Sequence, residues 1–228
     1  MTEEFDQYSH SYAEKVGDAV SFSGLKADFF TRVKSEYLKE LCAKTFPHNL
    51  QLSLLDVGCG VGVSHGDIGG AFSSITGIDP SAESIKIAQG AHPQNQYRAF
   101  DGKSIPFDSG SFDCAVTTCV MHHVPPNQWA AFVREMRRVT RKDGLVAVFE
   151  HNPRNPLTMR VVNNCEFDAN AVLLEYKQTE NLLRDAGVSD VKSRHILTVP
   201  AGNRFLRRID QLLSGLRIGA QYLCWGRA

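Results

Sequence analysis

Three closely spaced glycines in the first half of the chain have the properties of a ligand-binding turn. The apolar run Leu54–Val57 leads directly into Gly58, Gly60 and Gly62, which are spaced two residues apart. Glycine has no Cβ, so the backbone there can turn sharply and approach a ligand closely. A helix beginning beyond the turn would offer unpaired N–H groups to an anionic group. The segment therefore predicts a binding loop between a strand and a helix.

Two carboxylates follow the glycines at positions that suit recognition of a nucleoside. Asp79 ends the apolar run Ser74–Ile78, about twenty residues after the turn, where a carboxylate can accept both hydroxyls of a ribose. Asp101, followed by Gly102, comes after a third apolar run and could accept an adenine amino group. Each aspartate could instead cap a helix or a turn. Their joint occurrence after the glycines favours a cofactor that contains adenosine.

The glycine spacing also distinguishes between cofactor classes. A dinucleotide-binding turn has the pattern G-x-G-x-x-G, in which the third glycine allows close packing of the helix on the strand. Here Gly62 comes one residue early, and Val63 stands where that pattern has glycine. No lysine follows the turn as it does in a phosphate-binding P-loop. An NAD(P)-dependent oxidoreductase remains the alternative, and retained NADH absorbance would test it.

Two further clusters could carry acid–base chemistry. His122 and His123 follow a fourth apolar run, and Glu150 and His151 follow a fifth. Histidine titrates near neutral pH, so His123 or His151 could accept a proton from a substrate. Glu150 could orient one of these imidazoles. Alternatively, the paired histidines hydrogen-bond their own loop or line the cofactor.

Strands and helices alternate through the region that must position these residues. Near-continuous apolar strands alternating with helices predict a parallel sheet covered on both faces, with ligands along the carboxyl edge. An amphipathic helix from about Gly24 to Phe46 precedes this region. The predicted strands are Leu54–Val57, Ser74–Ile78, Gln96–Phe100, Phe112–Cys119, Leu145–Phe149, Val191–Val199 and Ala220–Trp225. The predicted helices are Val63–Phe72, Ser81–Gln89, Asn127–Arg141, Leu157–Asn164, Lys177–Ala186 and Phe205–Leu213.

Composition narrows the class of protein. The chain has 228 residues with a formal net charge of +0, so nothing indicates a nucleic-acid partner. No secretory signal or membrane span is recognisable in the sequence. Six cysteines are scattered without a C-x-x-C pair, which favours reduced thiols in the cytoplasm. We expect a cytoplasmic monomer or homodimer without a metal ion.

In these motifs the chain resembles the class I S-adenosylmethionine (SAM)-dependent methyltransferases, in particular the small-molecule branch similar to quinone-biosynthesis methyltransferases. The resemblance covers roughly Leu54 to Phe149. It is specific for SAM binding and poorly specific for the methyl acceptor. The matching segments are Leu55–Gly62, Gly77–Asp79, Asp101–Gly102, Ile105–Phe107, Phe112–Asp113, His122–Val124 and Lys142–Leu145.

The resemblance implies an α/β fold with a Rossmann-like, doubly wound seven-stranded sheet, mostly parallel with an antiparallel last strand. It implies a helical lid over residues 1–50 and a SAM-binding domain over 51–228. Residues around 152–176 interrupt the usual simple helix between strands, which indicates either an acceptor-pocket insertion or a surface elaboration. The activity implied is methyl transfer to an O, N or C atom of a small molecule, although a non-catalytic SAM-binding protein would show the same motifs. The expected cofactor-binding residues are Tyr12, Asp56, Gly58, Cys59, Gly60, Gly62, Asp79, Pro80, Asp101, Gly102 and Cys119.

Overall fold

The fold is built on one sheet whose parallel part carries the predicted ligand-binding residues. The computed structural model describes residues 26–48, 51–165, 168–200 and 202–228. Within these ranges the strands are β1 Ser53–Val57, β2 Ser74–Asp79, β3 Gln96–Ala99, β4 Phe112–Thr118, β5 Thr140–His151, β6 Ser189–Ile196 and β7 Gln221–Arg227. Their order is β3-β2-β1-β4-β5-β7-β6. Strands β1 to β5 are parallel, and β7 is antiparallel to both β5 and β6. The predicted doubly wound sheet with an antiparallel last strand is confirmed.

Helices pack on both faces of this sheet. In the described residues they are α1 Ala27–Thr45, α2 His65–Ile68, α3 Ala82–Ala91, α4 Trp129–Val139, α5 Pro156–Asn164, α6 Tyr176–Asp185 and α7 Arg204–Leu213. Neighbouring side chains of a strand point to opposite faces, so Leu55 packs in the layer of α4 and α6 while Leu54 packs in the layer of α1 and α2. Both leucines are fully buried, as expected for a strand covered on both sides.

The helix predicted after the glycine turn is much shorter than expected. The sequence indicated a helix over Val63–Phe72, but α2 has four residues and is followed by a 3₁₀ turn at Gly69–Ala71. Three glycines explain the difference, because glycine is among the least favourable residues in a helix interior. These glycines are Gly66, Gly69 and Gly70.

Helix α7 fastens α1 to the edge of the sheet. The buried carboxylate of Asp210 accepts a hydrogen bond of 2.6 Å from the hydroxyl of Tyr37 on α1. Arg207, also on α7, makes ion pairs with Glu36 and Glu40 of α1 at 3.0 and 3.2 Å. Because α1 is attached in this way, the preceding part of the helix, which includes Lys34, lies beside the carboxyl ends of the strands.

The segment predicted as an acceptor-pocket insertion combines α5 with an irregular stretch. Asn155 caps α5, since its side chain accepts a hydrogen bond from the Thr158 backbone at 2.9 Å. The irregular stretch returns to the sheet, where the Val172 backbone donates to the His122 carbonyl at 2.9 Å. It therefore packs against the loop that follows β4.

Two predictions concern residues for which the structure is only partly described. Tyr12 and most of the predicted N-terminal lid over 1–50 lie outside the described ranges, so both stay predictions.

Among the helices of the described ranges, none combines the length and apolar character needed to cross a bilayer.

Candidate active site

A cavity of about 260 Å³ lies at the carboxyl ends of β1, β2 and β4. Helix α1 forms its other wall through Thr31, Lys34, Ser35 and Leu38, none of which the sequence had identified. The predicted site residues that line it are Asp56, Gly58, Cys59, Gly60, Asp79, Pro80, Asp101, Gly102, Cys119 and His123. Residues that are far apart in sequence thus form one ligand-sized pocket at the strand edge, as in other open α/β sheets.

The glycine turn has the conformation that only glycine adopts easily. Gly58, Gly60 and Gly62 have φ values of 79°, 52° and 73°. A Cβ at Gly58 would lie 2.5 Å from Val120 Cγ2, whereas a Cβ at Gly60 would meet nothing within 4 Å. The backbone at Gly60 therefore forms an open cradle at the cavity wall.

Both predicted carboxylates stabilise turns and also line the cavity. Asp79 accepts hydrogen bonds from the Gly60 and Ser81 backbones, each at 2.9 Å. Asp101 accepts from the Lys103 and Ser104 backbones at 2.8 and 2.9 Å, and these bonds lower the pKa of its carboxyl group. From the sequence, these aspartates could either cap turns or bind a ligand. In the structure each one caps a turn and also faces the cavity, so the two roles are compatible.

Two buried oxygen atoms on the cavity wall have no hydrogen-bond partner among the described residues. They are Oδ1 of Asp56 and Oγ of Ser35. The other Asp56 oxygen is 3.0 Å from Nε2 of His65, whose Nδ1 is 2.6 Å from the Tyr97 hydroxyl. A buried polar atom without a partner costs free energy, which a ligand carrying hydrogen-bond donors would recover at Asp56.

The thiol of Cys119 lies on the same cavity wall, next to a positively charged side chain. Its φ of 55° is rare outside glycine and is typical of functional sites. Its Sγ is 3.6 Å from Lys34 Nζ and 3.6 Å from Gln221 Nε2. Burial alone would raise the pKa of Cys119, but the charges of Lys34 and His151 lower it to about 7.

Glu150 lies behind the cavity wall and does not line it. It is 1% exposed and accepts hydrogen bonds from the Val120 and Met121 backbones at 3.0 and 2.7 Å. Its other oxygen is 2.6 Å from Nδ1 of His122. Burial alone would raise the pKa of Glu150, but the charge and hydrogen bond of His122 lower it to about 2. The carboxylate fixes the loop that carries the two histidines.

The two histidines proposed as bases occupy different positions. His123 lines the cavity, and burial together with the neighbouring charge of His122 lowers its pKa to about 4, so the imidazole is neutral at pH 7. His151 is not among the residues that line the cavity. It pairs across the sheet with Gln221, whose Nε2 is 3.4 Å from its Nδ1 and 3.6 Å from the sulfur of Cys119.

Asp168 is a site residue that the sequence did not single out. Its Oδ1 is 3.4 Å from Nε2 of His122 and 3.5 Å from Nε2 of His123. Burial alone would lower the pKa of His122, but Glu150 and Asp168 raise it to about 10. No spacing pattern links Asp168 to the histidines, because the contact depends on how the stretch after α5 folds back.

Part of the chain is similar in sequence to known methyltransferases. A family model described as a methyltransferase domain matches residues 55–148. The chain is 31% identical over 165 residues to the phthiotriol/phenolphthiotriol dimycocerosates methyltransferase of Mycobacterium leprae, covering 68% of this chain and 58% of that protein. It is 31% identical over 107 residues to the 2-methyl-6-phytyl-1,4-hydroquinone methyltransferase of Synechocystis sp., covering 45% and 33%. The chain thus spans less than two thirds of either relative.

The fold matches over the whole chain. A solved SAM-dependent methyltransferase of Thermotoga maritima, described as a possible histamine N-methyltransferase, superposes with a TM-score of 0.67 at 18% identity. The match covers 100% of this chain and 99% of that one. The matched domain and the sequence relatives identify residues 55–148 as a methyltransferase domain of the class I SAM-dependent family, and the shared fold agrees with this.

Proposed function

We propose that this protein transfers a methyl group from SAM to a small molecule. The observation that carries the proposal is the single cavity that brings together the Gly60 cradle, Asp79 and Asp101. A site at the carboxyl edge of a doubly wound sheet is the expected place for a nucleoside-containing ligand.

The residues of the cavity fit the parts of SAM. Gly58 and Gly60 would lie under the methionine moiety, Asp79 would accept the ribose hydroxyls, and Asp101 would accept the adenine amino group. The unpartnered oxygen of Asp56 offers an acceptor to a ligand amine or hydroxyl. Tyr12 is proposed, from the family resemblance, to cover the cofactor.

Bound SAM would supply a methyl group on a positively charged sulfur. A lone pair of the acceptor would form the new bond to the methyl carbon, and the electron pair of the carbon–sulfur bond would return to sulfur. The protein must then hold the acceptor in line and exclude water, which provides much of the acceleration in such displacements. An acceptor that must lose a proton has two imidazoles nearby: His123 on the wall and His151 behind Cys119. Glu150 would act as a positioning residue through His122.

The apolar part of the cavity wall favours a small, largely apolar acceptor with one polar group. Its wall includes Leu38, Phe132 and Phe149, which are all buried, and Lys34 supplies a positive charge. The two sequence relatives are named as methyltransferases of phthiotriol or phenolphthiotriol dimycocerosates and of a phytyl hydroquinone. We therefore propose hydroquinones, phenols and long-chain alcohols as the first acceptors to test.

The proposal is tested by incubating the full chain with SAM and a panel of these acceptors, with amines included. Formation of S-adenosylhomocysteine and of a methylated product should depend on the acceptor and be lost in Asp79→Ala. SAM binding without turnover on any acceptor would instead support a non-catalytic SAM-binding protein.

A further inference from the structure

Three potential metal ligands meet next to the cavity. They are His122 and His123 on the loop after β4 and Asp168 on the stretch after α5. The Asp168 Oδ1 atom is 3.4 Å from His122 Nε2 and 3.5 Å from His123 Nε2. One donor atom from each residue falls within 4.8 Å of the other two. A common point between the three atoms is therefore within coordination distance of all of them after small side-chain adjustments.

We propose that His122, His123 and Asp168 bind a divalent transition-metal ion such as Zn²⁺, with a coordination position left open towards the cavity. Two imidazole nitrogens and one carboxylate are a recurrent ligand set for zinc and for non-haem iron. Bonds of about 2.0–2.1 Å in a tetrahedral site place neighbouring ligand atoms roughly 3.4 Å apart. The two nitrogen-to-oxygen distances in the cluster match that separation.

The residues around His122 hold its imidazole ring as the residues around a metal-binding histidine usually do. Its Nδ1 is 2.6 Å from Glu150, which leaves Nε2 directed at Asp168. In metal sites the second nitrogen of a ligating histidine usually contacts a carboxylate, which fixes the ring and its tautomer. The side chains of His122 and Glu150 are each 1% exposed, and two backbone N–H groups hold Glu150 in place. A bound ion would displace the proton of His122, after which the Glu150 and Asp168 carboxylates together match the charge of a divalent cation.

The same cluster has an accessible side. The side chain of His123 is 20% exposed and lines the cavity, whereas those of His122 and Asp168 are 1% and 9% exposed. An ion bound here would therefore be reached from the cavity. A hydroxyl or carboxylate oxygen of the acceptor would occupy the open position, and His123 would then act as a ligand and not as a base. This second step rests on the proposed function, whereas metal binding does not.

The test uses the full chain without a histidine tag, freed of metal with a chelator, then titrated with Zn²⁺ by calorimetry and with Co²⁺ by visible absorption. We expect one ion per chain and the absorption of a nitrogen- and oxygen-ligated Co²⁺ ion. Asp168→Asn changes the less exposed of these two ligands and His123→Asn the more exposed one. Each change should weaken metal binding by more than about a hundredfold. The matched control is Asp185→Asn, an exposed carboxylate at the end of α6, which should bind as the unmodified chain does.

Glu150→Gln should weaken metal binding by about ten- to a hundredfold without changing the number of ions. Absence of Zn²⁺ and Co²⁺ binding, or equal binding by Asp168→Asn and the control, would overturn the site. SAM calorimetry on the same samples separates this proposal from the methyltransferase function. SAM binding without metal binding removes only the metal site, and metal binding without SAM binding removes only the proposed function.

Discussion

The thiol of Cys119 lies on the cavity wall beside the ammonium group of Lys34. Because Lys34 and His151 lower its pKa to about 7, its thiolate fraction should rise through neutral pH. We expect the rate of alkylation at Cys119 by iodoacetamide to show a midpoint near pH 7. Peptide mass spectrometry across a pH series would measure this rate. A midpoint in the ordinary range of a free thiol, about 8.5, would contradict the prediction.

Lys34 provides the matched test of the cause. Its Nζ is 3.6 Å from the sulfur, and Lys34→Met removes the charge while keeping a side chain of similar length. We expect the alkylation midpoint to rise by roughly one pH unit. Arg184→Met, on the exposed side of α6, is the control and should leave the midpoint unchanged.

The conformation of Gly60 allows the binding cradle to be tested by one methyl group. Gly60→Ala places a Cβ at a φ of 52° and directs it into open cavity space. Because this methyl group would occupy space proposed for the methionine moiety, calorimetry should show SAM affinity reduced about five- to thirtyfold, which corresponds to about 1–2 kcal/mol of binding free energy. Gly90→Ala is the control, because Gly90 lies in α3 with open space around it and no positive φ. Equal SAM affinity in both variants would show that the cradle does not contact the cofactor.

At the residue scale, the cavity residues that follow the ends of the predicted strands were the easiest to identify from the sequence. Gly60, Asp79 and Asp101 could be identified because each follows an apolar run and has a type suited to adenosine. Lys34 and Asp168 could not, because they reach the site through the packing of α1 and the return of the stretch after α5. Glu150 was identified by its position, but only its buried contacts show that it supports a loop behind the cavity.

The attachment of α1 by α7 depends on one buried carboxylate. Besides Tyr37, Asp210 accepts hydrogen bonds from the Leu197, Thr198 and Val199 backbones at 2.9, 2.7 and 3.2 Å. Asp210→Ala leaves these donors without a partner, which should lower the free energy of unfolding by about 3–5 kcal/mol. A fall in melting temperature of roughly 6–20 °C would follow.

Thermal unfolding measured by circular dichroism would test this prediction. Asp185→Asn, an exposed change at the end of a helix, should stay within about 0.5 kcal/mol of the unmodified protein. A loss of less than about 1 kcal/mol in Asp210→Ala would show that α1 is held mainly by its apolar contacts.

At the element scale, hydrophobic pattern predicted the existence and type of the elements better than their lengths. The strand near Leu145 begins at Thr140, directly after α4, because its first residues continue the pairing with β4 at Phe112. The helix after the glycine turn is shorter than its apolar positions indicate, because its glycines disfavour a longer helix. Tertiary pairing and glycine propensity decided these boundaries, and neither is visible as periodicity.

At the scale of the whole molecule, the strand order follows from general rules of α/β folds. Alternating strands and helices with right-handed crossovers wind in two directions from a central pair of strands, here β1 and β4. The crevice where the direction reverses is the expected ligand site, and the cavity lies there. These rules made the fold and the position of the site predictable, whereas the acceptor depends on local packing that they do not describe.

The most direct test of the central claim is calorimetric titration of the full chain with SAM, with S-adenosylhomocysteine and with NAD. We predict micromolar binding of both sulfur compounds and none of NAD. In Asp79→Ala, which removes the proposed ribose contacts and the bond to Gly60, affinity should fall at least about a hundredfold. Asp185→Asn should bind as the unmodified chain does. Binding of NAD in the absence of binding by either sulfur compound would contradict the account.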